Sequence, residues 1–216
     1  MPALSRTQSH LRYPLSSILG SAGSVRVLRA FVADASPQSA PHLAKVAGLT
    51  PQGVRLVLDA LARLRLVVIH GSGRTQLYAL NPSHPFAGAL VALFQEEQRR
   101  WDALLESIRG VLAKRGPAVG AAWLYGSVAR GDDSPSSDLD IAILVRSPGV
   151  ADEVRADLMA LEDAQHLRIS LTALTPKELA ALPEDDRWWS DVVRDGRVLK
   201  GPAPGQARRR LAKVTA

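Results

Sequence analysis

Two aspartates and a glycine-serine pair in the second half of the chain have the types and spacing of a chemical site. Gly126 and Ser127 follow an apolar run that ends at Tyr125, and Asp138 and Asp140 open another apolar run. Carboxylates two positions apart on a strand project to the same face. Paired carboxylates are hard-oxygen ligands suited to Mg²⁺ with bound phosphates. The spacing therefore predicts a site for a magnesium-bound nucleotide.

The glycine-serine pair has its own part in this prediction. A glycine lets the backbone turn and approach a ligand closely, and Ser127 offers a hydroxyl and a backbone N–H at a helix start, where phosphate is favoured. A glycine-serine pair or an Asp-x-Asp alone is weak, because each is common in turns and on surfaces. The order of strand, pair, ten-residue spacer, carboxylates and apolar strand favours a functional site.

Strands and short helices must position these residues. Apolar runs predict strands at 118–125 and 139–145, and an alternating pattern predicts a half-exposed strand at 166–173. The other elements expected in this half are helices at 126–130, 152–162 and from 175, and a last element at 188–199.

The stretch YGSVARGDDSPSSDLDIAILV resembles the polymerase-β-type nucleotidyltransferase superfamily, and most of all its minimal (MNT) branch, over about residues 118–201. The resemblance implies a small mixed sheet flanked by helices and transfer of a nucleotidyl group from an NTP, ATP in first place, to an acceptor hydroxyl with two Mg²⁺ ions. It implies that Gly126 and Ser127 hold phosphates, that Asp138 and Asp140 hold the metals, and that Arg130 contacts phosphate. Ser127 and the two aspartates are then the catalytic candidates.

The sequence departs from this family at one position. Active members carry a third carboxylate on a later strand, whereas Ser170 stands at the matching place. A serine has no negative charge and is no base at neutral pH. Glu162 or Asp163 would substitute only if the strand is shorter than predicted. The metal site is then one ligand short, which favours nucleotide binding over catalysis and leaves enzymatic activity open.

The first half of the chain predicts a different unit. Helical periodicity at 24–33 and 39–47 is followed by a helix from Pro51 to about Arg65, and then by two strand-like runs around a Gly-Ser-Gly turn. This order over residues 17–85 resembles winged helix-turn-helix regulators of the MarR/ArsR type. It departs at Arg65, where such domains often have a small residue. The predicted fold class is α+β, with three helices and a β-hairpin before the second unit.

The second helix of such a unit fits the DNA major groove. Glutamine can bond adenine edges, and arginine can bond guanine edges or phosphate. The candidate DNA contacts are Thr50, Gln52, Arg55, Arg63 and Arg74. The alternative is a winged helix used only for protein contacts or dimerisation.

Charge distribution bears on that choice. Residues 1–100 carry eleven Lys and Arg against four Asp and Glu, whereas residues 101–216 carry sixteen against seventeen. A basic half is suited to the phosphate backbone, because neutralising phosphates releases counterions. A solvated arginine-rich surface is the other interpretation.

We expect four segments. They are a DNA-binding domain at 1–85, a linking or dimerisation helix at 86–115, a nucleotidyltransferase-like domain at 116–201, and a basic flexible tail at 202–216. A homodimer is expected, since winged-helix regulators commonly bind two half-sites.

Composition narrows the class of protein. The 216 residues allow one large domain or two small ones. The absence of cysteine excludes disulfides, thiolate zinc sites and a cysteine nucleophile. The apolar runs are too short to span a bilayer, and the first residues lack the apolar segment of a signal peptide. We expect a cytoplasmic protein without membrane contact.

Three functions remain open. The first is a DNA-binding transcription regulator with a Mg²⁺–NTP-binding domain, including an antitoxin that regulates its own operon. The second is an active nucleotidyltransferase that moves AMP from ATP to a partner protein such as a HEPN toxin. The third, transfer to a small molecule, is least favoured, because such an enzyme has no evident need for a DNA-binding domain.

Overall fold

The computed structural model describes residues 15–215. Most of residues 1–15, where the sequence shows little periodicity, therefore lie outside the described residues. The chain divides into two compact units, residues 1–100 and residues 101–216. The boundary falls inside one long helix, within the predicted linking segment.

Small helices and a hairpin build the first unit. Its elements are α1 (Leu15–Ile18), α2 (Ala22–Ala33), β1 (Gln38–Ser39), α3 (Ala40–Ala47), α4 (Pro51–Arg63), β2 (Val67–His70), β3 (Leu77–Leu80) and the first part of α5 (Ala87–Lys114). The strands form one antiparallel sheet in the order β1-β3-β2. This is the predicted order of three helices and a hairpin, with β1 as an added strand.

Side-chain caps define the two helices on either side of the tight turn. Ser39 accepts from the His42 N–H at the start of α3, and Thr50 accepts from the Gly53 N–H at the start of α4. Gly48 ends α3 in the left-handed conformation. Arg65 is also left-handed, with φ of 59°. That conformation explains why a small residue is usual there.

The second unit is a four-stranded sheet with helices on both faces. Its elements after α5 are β4 (Val119–Tyr125), α6 (Gly126–Arg130), β5 (Leu139–Val145), α7 (Pro148–Gln165), β6 (Ile169–Leu174), α8 (Pro176–Ala181), α9 (Arg187–Asp195), β7 (Arg197–Lys200) and α10 (Pro204–Thr215). The strand order is β6-β5-β4-β7, with β5 and β6 parallel and the other pairs antiparallel. The fold class is α+β with a small mixed sheet, as predicted.

Two separate cores cover the faces of this sheet. Ile108 of α5 and Leu158 of α7 pack with Ile141 and Ile143 of β5 on one face. Trp123 of β4 packs with residues of α8, α9 and α10 on the other. Successive residues of β5 therefore point to opposite cores.

The predictions for the end of the chain were incomplete. Residues 188–199 were expected to form one element, but they belong to α9 and β7, which turn at Gly196. The segment expected to be a flexible tail contains α10, where Ala207 is buried and Arg208 donates to the backbone oxygens of Leu182 and Pro183. Ala207 and Leu211 pack against the core on the Trp123 face of the sheet, so the basic composition concealed a packed helix.

None of the helices within residues 15–215 combines the length and apolarity needed to cross a membrane.

The packing of α5 gives a stability prediction. Ile108 is fully buried in the core of the second unit, so Ile108→Ala should lower its free energy of unfolding by about 3 kcal/mol. Leu93→Ala on the same helix is the control, because Leu93 is 54% exposed and should change the value by less than about 0.5 kcal/mol. Denaturant unfolding measures both. Equal losses would contradict the assignment of Ile108 to that core.

Candidate functional site

The two aspartates lie where β5 begins. Asp140 pairs with Tyr125 at the end of β4 and with Ser170 on β6. Its neighbour Ile141 points into the core beneath α5 and α7, so Asp140 faces the opposite side of the sheet. Asp138 precedes the strand by one residue, on the same side. The structure thus brings both carboxylates to one end of one face, as predicted.

Gly126 lies in close contact with the side chain of Asp140. Its φ is 77°, and a Cβ atom at this position would overlap the Oδ2 atom and Cγ of Asp140. Only a glycine allows both the left-handed backbone and this close approach. Ser127 follows in the first turn of α6 and is half-buried. The glycine-serine pair and the carboxylates are therefore adjacent.

Ser170, which is expected to stand where active members carry the third carboxylate, lies on β6. It is directly opposite Asp140 in the parallel register, and it lowers the pKa of the Asp140 carboxyl. The strand is shorter than predicted, but neither acidic residue before it substitutes. Glu162 accepts from the Ile169 N–H at the end of α7, and Asp163 is exposed on the same helix. Ser170 therefore lies beside Asp140 in the sheet, and its match to the third carboxylate stays a prediction.

Arg168 is a site residue that the sequence reasoning missed. Its Nε atom lies 2.9 Å from the Oδ1 atom of Asp138, and its Nη2 donates to the Ser136 carbonyl at 3.3 Å. The signal was available in the sequence, because Arg168 is two positions before Ser170 and so shares its face of the strand. The site therefore carries a positive charge beside its first aspartate.

Burial and charge act on Asp140 in opposite directions. Desolvation raises the pKa of this carboxyl, and the charge of Asp138 raises it further. The hydrogen bond from Ser170 and the charge of Arg130 lower the pKa, but the net direction is upward from 3.8.

Arg130 is held by two carboxylates. Its Nε donates to Asp132 at 3.1 Å and its Nη1 donates to Asp195 at 2.9 Å. The Asp195 side chain is only 5% exposed, and its pKa falls to about 2 because Arg194 and Arg130 both donate to it. Sequence reasoning missed Asp195, which is 65 positions from Arg130. The predicted phosphate contact by Arg130 has no test in this geometry.

Aromatic residues pack beside the carboxylates. Trp188 donates from its indole nitrogen to the Tyr125 hydroxyl at 3.0 Å, and that hydroxyl lies 3.4 Å from the Thr172 hydroxyl. Trp189 is buried against Trp123 with an edge-on geometry. The tryptophan pair therefore packs in the fold beside the candidate site.

A cavity of about 740 Å³ opens next to Arg168. The polar residues in its lining are Ser136, Ser137, Glu162, Asp163, His166 and Arg168. His166 ends α7 in the left-handed conformation. The lining carries both signs of charge, and the cavity adjoins the carboxylates through Arg168.

The donor set fits a divalent cation in part. Asp138 and Asp140 supply hard oxygens on one face, and Oδ1 of Asp138 is buried without a hydrogen bond although Arg168 lies near it. Within residues 15–215 no cluster of three or more His, Cys, Asp or Glu residues could hold a metal ion. The residues therefore fit a cation that also takes oxygens from a phosphate ligand.

The candidate DNA contacts of the first unit lie around α4. Gln52, Arg55 and Arg63 are exposed along this helix. The Thr50 hydroxyl serves as the helix cap, so its first role is structural. Arg74 lies in the short 3₁₀ turn Gly73–Thr75 between β2 and β3, and its side chain lies outside the described part of the chain.

Comparison with known proteins finds a family similar to part of the chain. Residues 106–181 match the family model described as polymerase beta, nucleotidyltransferase. The match includes the glycine-serine pair, both aspartates and Ser170. None of the curated proteins matches the chain significantly.

Several solved structures are similar to about half of the chain. A toxin–antitoxin crystallised with AMP-PNP is 20% identical and aligns over 51% of this chain and 86% of its own, with a TM-score of 0.38. The tri-AMPylated Shewanella oneidensis HEPN toxin with its MNT antitoxin is 18% identical over 53% and 85%, with a TM-score of 0.35. A MarR family regulator from Silicibacter pomeroyi DSS-3 is 20% identical over 51% and 76%, with a TM-score of 0.34.

The raised pKa of Asp140 predicts a pH-dependent change in stability. A carboxyl whose folded-state pKa lies above 3.8 destabilises the folded protein when it is ionised. Asp140→Asn should therefore raise Tm at neutral pH, and the gain should shrink as the pH falls through the folded-state pKa toward 3.8. Thermal unfolding at a series of pH values measures the effect. Asp133→Asn in the exposed loop is the control and should show no such gain; a constant or absent gain for Asp140→Asn would argue against the assigned burial.

Proposed function

We propose that this protein is a DNA-binding transcription regulator whose nucleotidyltransferase domain binds a Mg²⁺-bound nucleoside triphosphate, ATP in first place. The observation that carries the proposal is the contact of Gly126 with Asp140 on the face that Asp140 shares with Asp138 and Ser170. It joins a close backbone approach to a pair of hard-oxygen ligands.

A few residues of the proposed nucleotide site would each have a distinct role. Asp138 and Asp140 would hold the cation, which neutralises phosphate charge when it is bound. The backbone at Gly126 and the Ser127 hydroxyl are proposed to contact the phosphates. Arg130 would add positive charge from α6, where Asp132 and Asp195 fix its guanidinium.

Because residue 170 is a serine, we favour nucleotide binding over nucleotidyl transfer as the function of this domain. A third carboxylate would bind metal and activate the acceptor hydroxyl, and a serine does neither at neutral pH. Ser170 lies directly opposite Asp140 in the parallel ladder. The domain is thus proposed to sense a nucleotide and to pass that signal to the DNA-binding unit.

The DNA-binding part of the proposal rests on α4 and on charge. This helix is anchored by the buried Val54, Leu58 and Leu61, and the opposite side exposes Gln52 and Arg55. The first hundred residues also carry the excess of positive charge. An exposed helix with these side chains suits the major groove, and a homodimer would read two half-sites.

An autoregulating antitoxin is the form of regulator we propose. A nucleotidyltransferase-like domain that recognises a partner toxin, fused to a DNA-binding unit, would let the complex control its own operon. The nucleotide would then report on the state of the complex.

A second candidate is an active nucleotidyltransferase that moves AMP from ATP to a partner protein such as a HEPN toxin. It is favoured by one observation, the retention of both Asp138 and Asp140 with Gly126 in contact. Transfer to a small molecule ranks below it, because a DNA-binding unit would have no role.

Nucleotide binding is tested by calorimetric titration of ATP and GTP with and without Mg²⁺. We expect Mg²⁺-dependent binding by the wild type and its loss in Asp138→Asn/Asp140→Asn, because the cation loses both charged ligands. Asp152→Asn/Asp185→Asn removes the same charge from exposed positions and should bind as the wild type does. Binding that persists in the first double variant would put the nucleotide elsewhere, and no binding at millimolar nucleotide would refute the site.

DNA binding is tested with a duplex of mixed sequence at several salt concentrations. Arg55→Ala and Arg63→Ala should each weaken binding and reduce the salt slope by about one unit for each phosphate contact removed. Arg99→Ala on α5 is the control, because Arg99 pairs with Glu96 and should leave the slope unchanged. An unchanged slope in both α4 variants would refute this interface.

A further inference from the structure

The nucleotide-binding function proposed above gives no role to Arg168. The Leu139 N–H donates to the Arg168 carbonyl at 2.8 Å, and Leu139 pairs with Ile169 in the parallel ladder. Arg168 therefore stands beside Asp138 at the same end of the sheet, and its side chain is directed to that carboxylate. The contact follows from strand register, so it is a built feature of the site.

The side chains at this end of the sheet carry less negative charge than the three carboxylates expected in active members of the family. They are therefore suited to fewer metal ions. Two aspartates and Arg168 carry a net charge of −1, and Ser170 adds none. Three carboxylates without an arginine would carry −3. Two divalent cations bring four positive charges, so a second cation here would meet a guanidinium where a ligand is needed.

The number of carboxylate oxygens that are free to bind metal also favours a single ion. Oδ1 of Asp138 lies 2.9 Å from the Nε atom of Arg168, so a cation would share this oxygen with a guanidinium, and the Oδ2 atom of Asp140 lies close to the backbone of Gly126. The oxygens left for metal suit one ion that completes its shell with phosphate oxygens and water.

We infer that this site binds its nucleotide with one divalent cation rather than two, and that the Arg168 guanidinium supplies the second positive charge beside Asp138. This inference rests on the proposed nucleotide-binding function. The Arg168 side chain is 74% exposed, so its remaining donors face solvent beside Asp138 and are available to a triphosphate. Arg168 is thus a binding residue for the nucleotide and, together with the missing carboxylate at Ser170, limits the site to one metal ion.

Counting Mn²⁺ ions tests the inference without any activity assay. The full chain is titrated with Mn²⁺ at saturating ATP, and bound ions are counted by electron paramagnetic resonance. We expect one ion for each bound ATP and a mononuclear spectrum. Two ions about 4 Å apart would give an exchange-coupled spectrum, and that result in the wild type would overturn the inference.

A double variant tests the cause of the count. Arg168→Ala/Ser170→Asp restores the third carboxylate and removes the competing charge, so it should bind two Mn²⁺ ions. Arg168→Ala alone should keep one ion and bind it about two- to fivefold more tightly, as expected for release of an exposed ion pair. Arg146→Ala removes one exposed charge at the other end of β5 and should match the wild type. A single ion in the folded double variant would show that these two residues do not set the count.

The same experiment distinguishes failure of the one-cation inference from failure of the nucleotide-binding function. Binding of ATP with two ions in the wild type overturns the one-cation inference and leaves the nucleotide-binding function standing. Absence of ATP binding overturns both. Should the double variant fail to fold, the wild-type count and Arg168→Ala still decide the inference.

Discussion

The parallel pairing of β5 with β6 is the constraint from which the site follows. Ile141 and Ile143 are buried on one face of β5 and Ala142 on the other, so this strand can only be central in the sheet. Its register sets Asp140 against Ser170. A slip of one residue would turn every side chain of β6 to the other face, and Ser170 would no longer share a face with Asp140. Packing of the cores therefore determines the chemistry at the strand end.

Burial of Asp140 and the shape of Gly126 belong to one arrangement. The carboxylate sits against the glycine backbone, where desolvation raises its pKa and ionisation destabilises the fold. A bound cation would reverse that penalty, because it favours the ionised form. Under the proposed function, cation binding would therefore stabilise the fold at this strand end.

Local patterns were sufficient for the elements that carry the most apolar residues. The bounds predicted for β5 agree with the structure, because its apolar run is continuous and bounded by polar residues. The start of α4 follows from Thr50 and Pro51. By contrast, β7 has only four residues with charged ends, and α10 is rich in arginine, so periodicity gave little signal. The ion pairs of Arg168 and Arg130 join distant parts of the chain, and only the register and packing reveal them.

Partners outside the matched stretch complete the turn between β4 and α6. Tyr125, directly before Gly126, receives a hydrogen bond from Trp188, and Arg130 at the end of α6 is held by Asp195. Both partners lie on α9, beyond residue 181, where the family match ends. Residues 106–181 contain both aspartates but lack the contacts that restrain each end of the glycine-serine turn. The candidate site therefore includes α9, because the proposed phosphate-binding turn would depend on preorganisation as well as on its own residues.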